Sequence, residues 1–491
     1  MKNRKQYTFI YILGAALIFS AGCKKYLEHA PDMRTKLNSV EKVGELLVSA
    51  YPKADYITFA ESASDNAEDK GEGVGSEDQR YVDPYHWEDV DSRAQGSPTF
   101  YWNNSYEAIA AANQALAAIA EESDNEEYLP YKGEALVARA YAHFMLAVLY
   151  AKTYDPAGDN SSPGIPYVTE PETVVFGQYD RGTVASTYEM IEKDLEEGLP
   201  LIKNSAYNVP KYHFNIAAAH AFAARFYLFK GEYDKVIEHV NNIYPSGDFK
   251  SNLRPWATRY YSYGSGEMQI NFTKATENSN LLLIETASLW ARTTSPRFGF
   301  GIKMNTQLFI NDNVTGTNFD HRIWSYGVPN YTLLKWREHF VRTSANATIG
   351  FPYTIVPVLT ADEALMNRAE AYAEVGNFEA ALSDINTFAS TRIRDYNESE
   401  HAVTLEKIAD FYATDDPKEG VVQTILDFKK AEFIQEGVRW FDILRHRLPV
   451  THNLIDVNKK ETFITLEPDD PRRLFQLPEE VEKSGIERNP R

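Results

Sequence analysis

The chain has 491 residues, of which 43% are hydrophobic and 13% aromatic, and a net charge of −20. Such a composition is globular and excludes whole-chain disorder. The negative charge argues against nucleic acid or an anionic lipid surface as the main ligand, because both require basic patches.

Lys2, Arg4 and Lys5 open the chain with positive charge. Residues 9–19 follow as an apolar run too short for a comfortable membrane span. Small residues Ser20, Ala21 and Gly22 then precede Cys23, the only cysteine present. The layout is that of a secretory signal over residues 1–22 ending at a lipid-modified Cys23. The competing reading is an ordinary signal peptide that ends near a cysteine by chance. Several acyl chains on one residue anchor far more firmly than one. With a single cysteine no internal disulfide can form, so stability must come from packing. No later stretch is long and apolar enough to span a membrane. Residues 23–39 read as a tether, and residues 40–491 as one large helical domain.

Helical patterns begin at Val40. Residues 106–119 are alanine-rich, with Tyr106, Ile109, Leu116 and Ile119 at helical spacing. Residues 134–150 are apolar almost all round, which predicts a buried helix ending before Asp155 and Pro156. Thr183 starts a further helix that Pro200 closes. Residues 217–240 and 362–385 resemble each other. Each reads as a helix, a glycine turn (Gly231, Gly376), an aromatic two residues on (Tyr233, Phe378) and a second helix, the hairpin unit of tetratricopeptide repeats. The expected fold class is therefore mostly α, a tetratricopeptide-like helical-hairpin scaffold. Two aromatic-rich, irregular insertions interrupt it, at about 60–99 and 244–357. Residues 281–285 could form one short strand in the second insertion. Long irregular segments on a rigid scaffold often carry function, so the two are expected to form a binding face.

Several runs together resemble the SusD/RagB-like outer-membrane lipoproteins. The resemblance begins with CKKYLE at 23–28. It continues with Trp102, Tyr106, Ile109, Asn113 and Leu116, and with RAYAHFML at 139–146 followed by Tyr150 and GIP at 164–166. Arg181, Gly182, Thr183, Tyr188, Ile191, Asp194 and Leu195 form the next piece, and LMNRAEAY at 365–372 with Gly376 another. The most specific run is EFIQEGVRWFDILR at 432–445, and LFQLP at 474–478 with Glu480, Val481, Asn489 and Pro490 closes the set. Each piece alone is weak; in order they are specific. The chain departs from the family at Lys429 and Lys430, where Glu-Arg is usual, at Val358 and Leu359, where Arg-Leu is common, and in its shortened C-terminus. These are scaffold positions.

The resemblance implies a lipid-anchored protein on the outer face of the outer membrane. It implies capture of an oligosaccharide or other nutrient and delivery to a SusC-like TonB-dependent transporter, with binding and no cleavage. The rivals are a surface scaffold holding a protein or peptide through its helical hairpins, and a glycan hydrolase.

In 432–445, Glu436 with Arg439 and Asp442 with Arg445 are three apart and are expected to bridge on one helix face, with Trp440 and Phe441 packed inward. No His-Glu-x-x-His zinc motif occurs, and Gly71, Gly73 and Gly75 among acidic neighbours match a nucleotide loop poorly. Asp65, Glu68, Asp69 and Glu72 carry oxygen ligands of the kind calcium prefers, but their spacing is not an EF-hand and a solvated loop is expected. No catalytic residue, metal or cofactor is assigned. Sugar rings present C–H patches that lie on flat aromatic faces, with polar neighbours fixing orientation. The candidate ligand residues are Tyr85, Trp87, Tyr261, Trp290 and Trp324, with Arg93 and Arg292 for hydroxyls. Trp102 is assigned to the core.

Overall fold

The structure, a computed structural model, describes residues 37–122, 125–172, 177–292, 295–344 and 346–491. The signal segment, Cys23 and most of the tether lie outside these residues. No helix among the described residues is long and apolar enough to cross a membrane.

The helical scaffold follows from capping and spacing. Helix α1 (Val40–Leu47) starts at Ser39, whose side chain accepts from Lys42 N–H. Two short helices, α2 (Ile57–Ala63) and α3 (Gln79–Tyr85), fall within the first irregular insertion. The long helix α4 (Pro98–Glu121) has Ser97 as its cap and a proline in its first turn. It buries Tyr101, Ser105, Ala108, Ala112, Ala115 and Ile119, one stripe at helical spacing. Helix α5 (Leu129–Tyr150) is buried continuously from Gly133 to Tyr150, as an all-round apolar pattern requires. Thr183 and Ser186 form a reciprocal capping box that starts α6 (Val184–Gly198).

The two matching segments are both helical hairpins, α7 (Ile216–Lys230) with α8 (Tyr233–Ile243), and α10 (Ala361–Glu374) with α11 (Phe378–Ala389). Between them lies α9 (Ser265–Phe272). The reversing glycines Gly231 and Gly376 sit at φ +71° and +81°, a region that only glycine enters without strain. The hairpins pack on each other although more than a hundred residues separate them in sequence, with α8 and α7 both against α10.

The expected strand at 281–285 is longer, β2 (Asn280–Ala287), and it pairs with β7 (Gly350–Thr360), which also pairs with β6 (Glu338–Arg342). Both pairings are antiparallel, with Ile284 opposite Val356 and Val341 opposite Phe351. Strand β7 runs straight into α10, whose cap is Thr360. Shorter pairs complete the insertions and the C-terminal region: β1 (Glu68–Asp69) with β3 (Phe298–Gly299), β4 (Trp324–Ser325) with β5 (Tyr331–Thr332), and β8 (Val450–Ile455) with β9 (Glu461–Leu466).

The run at 432–445 is not one helix. Helix α12 (Pro417–Glu432) ends, and α13 (Arg439–Arg445) begins after a tight turn in which Gln435 and Gly437 have φ +67° and +73°. That break separates the expected Glu436–Arg439 pair. Glu436 instead holds Lys335 at 2.6 Å and Arg439 holds Asp65 at 2.9 Å. Asp442 and Arg445 do bridge, at 3.1 Å, and Trp440 and Phe441 are buried. Lys429 and Lys430, where the family resemblance departs, reach Asp442 at 2.6 Å and Asp65 at 3.0 Å.

Behind the turn, Glu432 receives Trp256 Nε1–H at 2.9 Å and sits against Arg392 and His321. Burial pushes its carboxyl up, but Arg392 and His321 outweigh that and hold it well below the ordinary range. A charged group so enclosed is tolerable because its oxygens are paired.

Candidate functional site

The two irregular insertions meet. Strand β1 of the first pairs with β3 of the second, Glu68 opposite Gly299 and Asp69 opposite Phe298. Arg297 clamps Asp69 through Nε at 2.7 Å and Nη2 at 3.0 Å. Asn453 of β8 donates to Asp69 O and accepts from Asp69 N–H, so the C-terminal hairpin closes the junction. Glu68 accepts from Lys303 N–H at 2.9 Å, and the chain passes so close that a Cβ on Gly301 would lie 1.9 Å from its carboxylate. Lys70 donates to Asn330 Oδ1 at 2.8 Å, tying the junction to the turn of the β4–β5 hairpin.

The acidic segment is therefore no solvated loop. Glu68 and Asp69 are buried and Asp65 is half-buried, all three are engaged, and only Glu72 is exposed. Burial drives Glu68 up to about 7, although the Lys303 N–H and charge lower it. Burial likewise lowers Lys70 to about 8. Asp65 goes the other way. Burial would raise it, but Lys430 and Arg439 more than offset that and hold it well below the usual carboxylate range. Among the described residues, no group of three or more His, Cys, Asp or Glu side chains is arranged to hold a metal ion.

The candidate aromatics separate into two kinds. Tyr85 is fully buried, stacked between His452 (4.0 Å) and Phe298 (4.3 Å), with its hydroxyl donating to Asn453 O at 2.7 Å. Trp87 is 5% exposed, stacks on His452 at 4.6 Å and donates Nε1–H to Ala63 O. Trp290, also 5% exposed, lies 6.0 Å from Tyr81 and donates Nε1–H to Gln435 O at 3.1 Å. Tyr85 and Trp87 fasten the junction and Trp290 fastens its loop to the Gln435 turn, and all three rings are buried. The reason is one that sequence does not carry. An indole or phenol with its polar atom satisfied internally is an efficient way to pin a loop. Trp102 is in the core, as assigned.

Tyr261 and Trp324 are different. Both are half-buried. The Arg322 guanidinium stands 5.9 Å from the Tyr261 ring centre and 5.5 Å from that of Trp324, so the three side chains form one patch. Arg394 also lies over Tyr261, 4.2 Å from its ring centre. Trp324 is held across the β4–β5 pair by Thr332. Tyr326, in the bend that follows β4, is 54% exposed. Sequence reasoning missed Arg322, Arg394 and Tyr326. Arg322 and Tyr326 lie two residues either side of Trp324, but β4 is only two residues long and offers no alternation that could have flagged them. Arg394 comes from a distant loop and carried no local signal.

The two candidate arginines are engaged at the surface. Arg292 makes a two-pronged pair with Glu338, 2.7 Å for each contact. Arg93 contacts Glu480 at 2.8 Å and, with Trp87, Phe475 and Arg491, lines a cleft of about 290 Å³. The structure thus brings Trp87 with Arg93, and Tyr261 with Trp324, at separate places.

Comparison with known proteins supplies the family. Residues 25–228 match a family described as starch-binding and associating with the outer membrane, and residues 229–482 match the SusD family. The chain belongs to the SusD family. Its fold is that of solved relatives. A SusD superfamily protein from Bacteroides vulgatus is 18% identical with a TM-score of 0.66, over 92% of this chain and 98% of that one. A SusD superfamily protein from Bacteroides thetaiotaomicron is 19% identical at 0.60, over 92% and 100%. A SusD-like carbohydrate binding protein from Bacteroides vulgatus is 14% identical at 0.64, over 91% and 96%. At these identities the likeness shows the fold. No curated protein matches the chain.

Proposed function

We propose that this SusD-family protein is a cell-surface binding protein for an oligosaccharide, and that the ligand lies on Tyr261, Trp324 and Tyr326. The observation that carries the reading is the pair of half-buried rings, Tyr261 and Trp324, presented around Arg322 on rigid supports. A half-buried ring keeps one face for a sugar while its other contacts hold it still, which limits the entropy lost on binding. The protein binds and does not cleave. It is held at the outer membrane, facing the medium, through lipid on Cys23, and it passes its ligand to a SusC-like TonB-dependent transporter. The tether of residues 23–39 lets the body move while its lipid stays in place.

Calorimetry with a panel of neutral and acidic oligosaccharides tests the site. Trp324→Ala should weaken a bound glycan about tenfold, the equivalent of roughly 1.4 kcal/mol of lost stacking. Unchanged affinity in a folded Trp324→Ala variant would remove the patch from the binding site. Cys23→Ala should release a ligand-competent protein from the membrane fraction. Retention there in cells lacking the transporter would refute the anchor.

A further inference from the structure

Three of the seven arginines in the second insertion are consumed by carboxylates. Arg259 holds Glu277 at 2.6 Å, Arg292 holds Glu338 and Arg297 holds Asp69. Arg322 departs from this. Among the described residues it makes no ion pair. Its one hydrogen bond runs from Nη1 to the backbone carbonyl of Tyr261, at 3.2 Å. Arg254, Arg337 and Arg342 are also without an ion pair among the described residues, but Arg254 is buried against Phe272 with its Nη atoms donating to Tyr260, Phe272 and Asn280, and Arg337 and Arg342 stand exposed with neither over a ring. Arg322 is half-buried between two rings. Acidic groups outnumber basic ones by 70 to 50 in this chain, so an uncommitted guanidinium fixed beside an aromatic pair is a notable placement. Arg394 adds a second positive charge over Tyr261, and Asp320, 3.3 Å away, cancels one. Two positives less one negative leave these three side chains with a net charge of +1, in a chain whose net charge is −20.

A guanidinium held this way has its Nε and Nη2 protons to offer in a planar fork. The fork fits a two-oxygen anion better than a single hydroxyl. Its contact with the carbonyl of Tyr261 and its place beside the indole fix its direction, so little ordering remains to be done on binding. Resting on the oligosaccharide reading above, we infer that the ligand carries an anionic substituent, a sugar carboxylate or a sulfate ester. The anion sits on Arg322 while neighbouring sugar faces lie on Tyr261 and Trp324. The acidic remainder of the surface then repels polyanions that do not engage the patch, which makes the site selective for an oligosaccharide with its charge in the right register.

The test is calorimetry on the full-length mature protein with matched ligands. These are galacturonate, glucuronate and mannuronate tetramers, each tetramer's methyl ester, a sulfated maltotetraose, and neutral maltotetraose and cellotetraose. The inference expects one acid or sulfated ligand to bind at least about tenfold more tightly than its uncharged counterpart, the size of one charge-assisted contact. Arg322→Gln should erase that difference, and Arg322→Lys should restore part of it. The comparison of acid with ester in the unaltered protein needs no variant, so it stands even if Arg322→Gln folds poorly. Tighter binding of the uronates or of the sulfated ligand tells which anion is read. If neutral glycans bind, lose affinity in Trp324→Ala, and gain nothing from an anionic group, the inference fails while the glycan site survives. If no ligand in the panel binds, the glycan reading fails and the inference falls with it.

Discussion

Gln435 is the residue through which the scaffold positions the candidate patch, and its removal has a computable cost. It sits in the turn between α12 and α13 at φ +67° and is buried. Its N–H donates to Glu61 at 2.6 Å and its carbonyl accepts from Trp290 at 3.1 Å. Its side-chain Oε1 accepts from Leu333 N–H at 2.8 Å and from the Thr332 hydroxyl at 3.2 Å. Thr332 is the residue directly opposite Trp324. In Gln435→Ala the two backbone contacts can persist, and the φ strain is that of any non-glycine residue. The side-chain acceptor alone is lost. Thr332 can turn its hydroxyl to Leu333 O, 3.4 Å away, but the Leu333 N–H is left buried without a partner. Leaving one such group unsatisfied costs about 2 kcal/mol. For a chain of this length the unfolding entropy is near 1 kcal/mol per degree, so Tm should fall by roughly 2 °C. Differential scanning calorimetry, with reversibility checked, measures it. A shift below half a degree, with the Trp290 environment unchanged by fluorescence, would refute the claim that this side chain supports β5.

Three further outcomes follow from other contacts. Glu68 has its pKa raised to about 7 from 4.5. The folded state therefore keeps the proton across that window while the unfolded state releases it, and stability falls as pH rises from about 4.5 to 7 by up to about 3 kcal/mol. The Tm–pH profile of Glu68→Gln should lack that decline relative to the unaltered protein; parallel profiles would contradict it. Asp65→Asn leaves Lys430 and Arg439 without their shared carboxylate and should cost about 2–4 kcal/mol at neutral pH. Because the Asp65 pKa is depressed, the stability it contributes is present above about pH 4 and fades as pH falls below that, so urea titrations of the two proteins should converge in acid. Gly231→Ala and Gly376→Ala share a positive φ, but a Cβ at 231 would lie 2.8 Å from Pro156 while none meets a neighbour at 376. Both should lose about 1 kcal/mol from backbone strain, and Gly231→Ala should lose more by urea denaturation; equal losses would show that the Pro156 loop yields freely.

Much of the scaffold is legible from local chemistry. The buried α5, the Thr183 start of α6, the two glycine-turned hairpins and β2 are each set by spacing, capping or backbone freedom within a few residues, and those signals survive in one sequence. The ordered motifs identify the family for the same reason. The break between α12 and α13 was not legible. Glu432 through Arg445 has helical composition, and the turn exists because Glu61, nearly four hundred residues away, accepts the N–H groups of Gln435 and Gly437.

The candidate patch divides along the same line. The sequence by itself determined that aromatics would concentrate in two insertions, that one cysteine would close a signal-like segment, and that the surface would be acidic. Which aromatics face outward was a tertiary decision. Tyr85, Trp87 and Trp290 have the same residue types and the same loop surroundings as Tyr261 and Trp324. Tyr85 and Trp87 are buried because β3 and β8 close over them, and Trp290 because it lies against Tyr81 and the Gln435 turn, long-range contacts whose partners no local pattern names. Trp324 keeps part of its surface although β4–β5 is pinned through Thr332 and Gln435 and, at its turn, through Asn330 and Lys70, and Tyr261 keeps part of its surface beside Arg322 and Arg394. Residue type sets what a ring can do, and burial of its faces by distant chain sets whether a ligand can reach it.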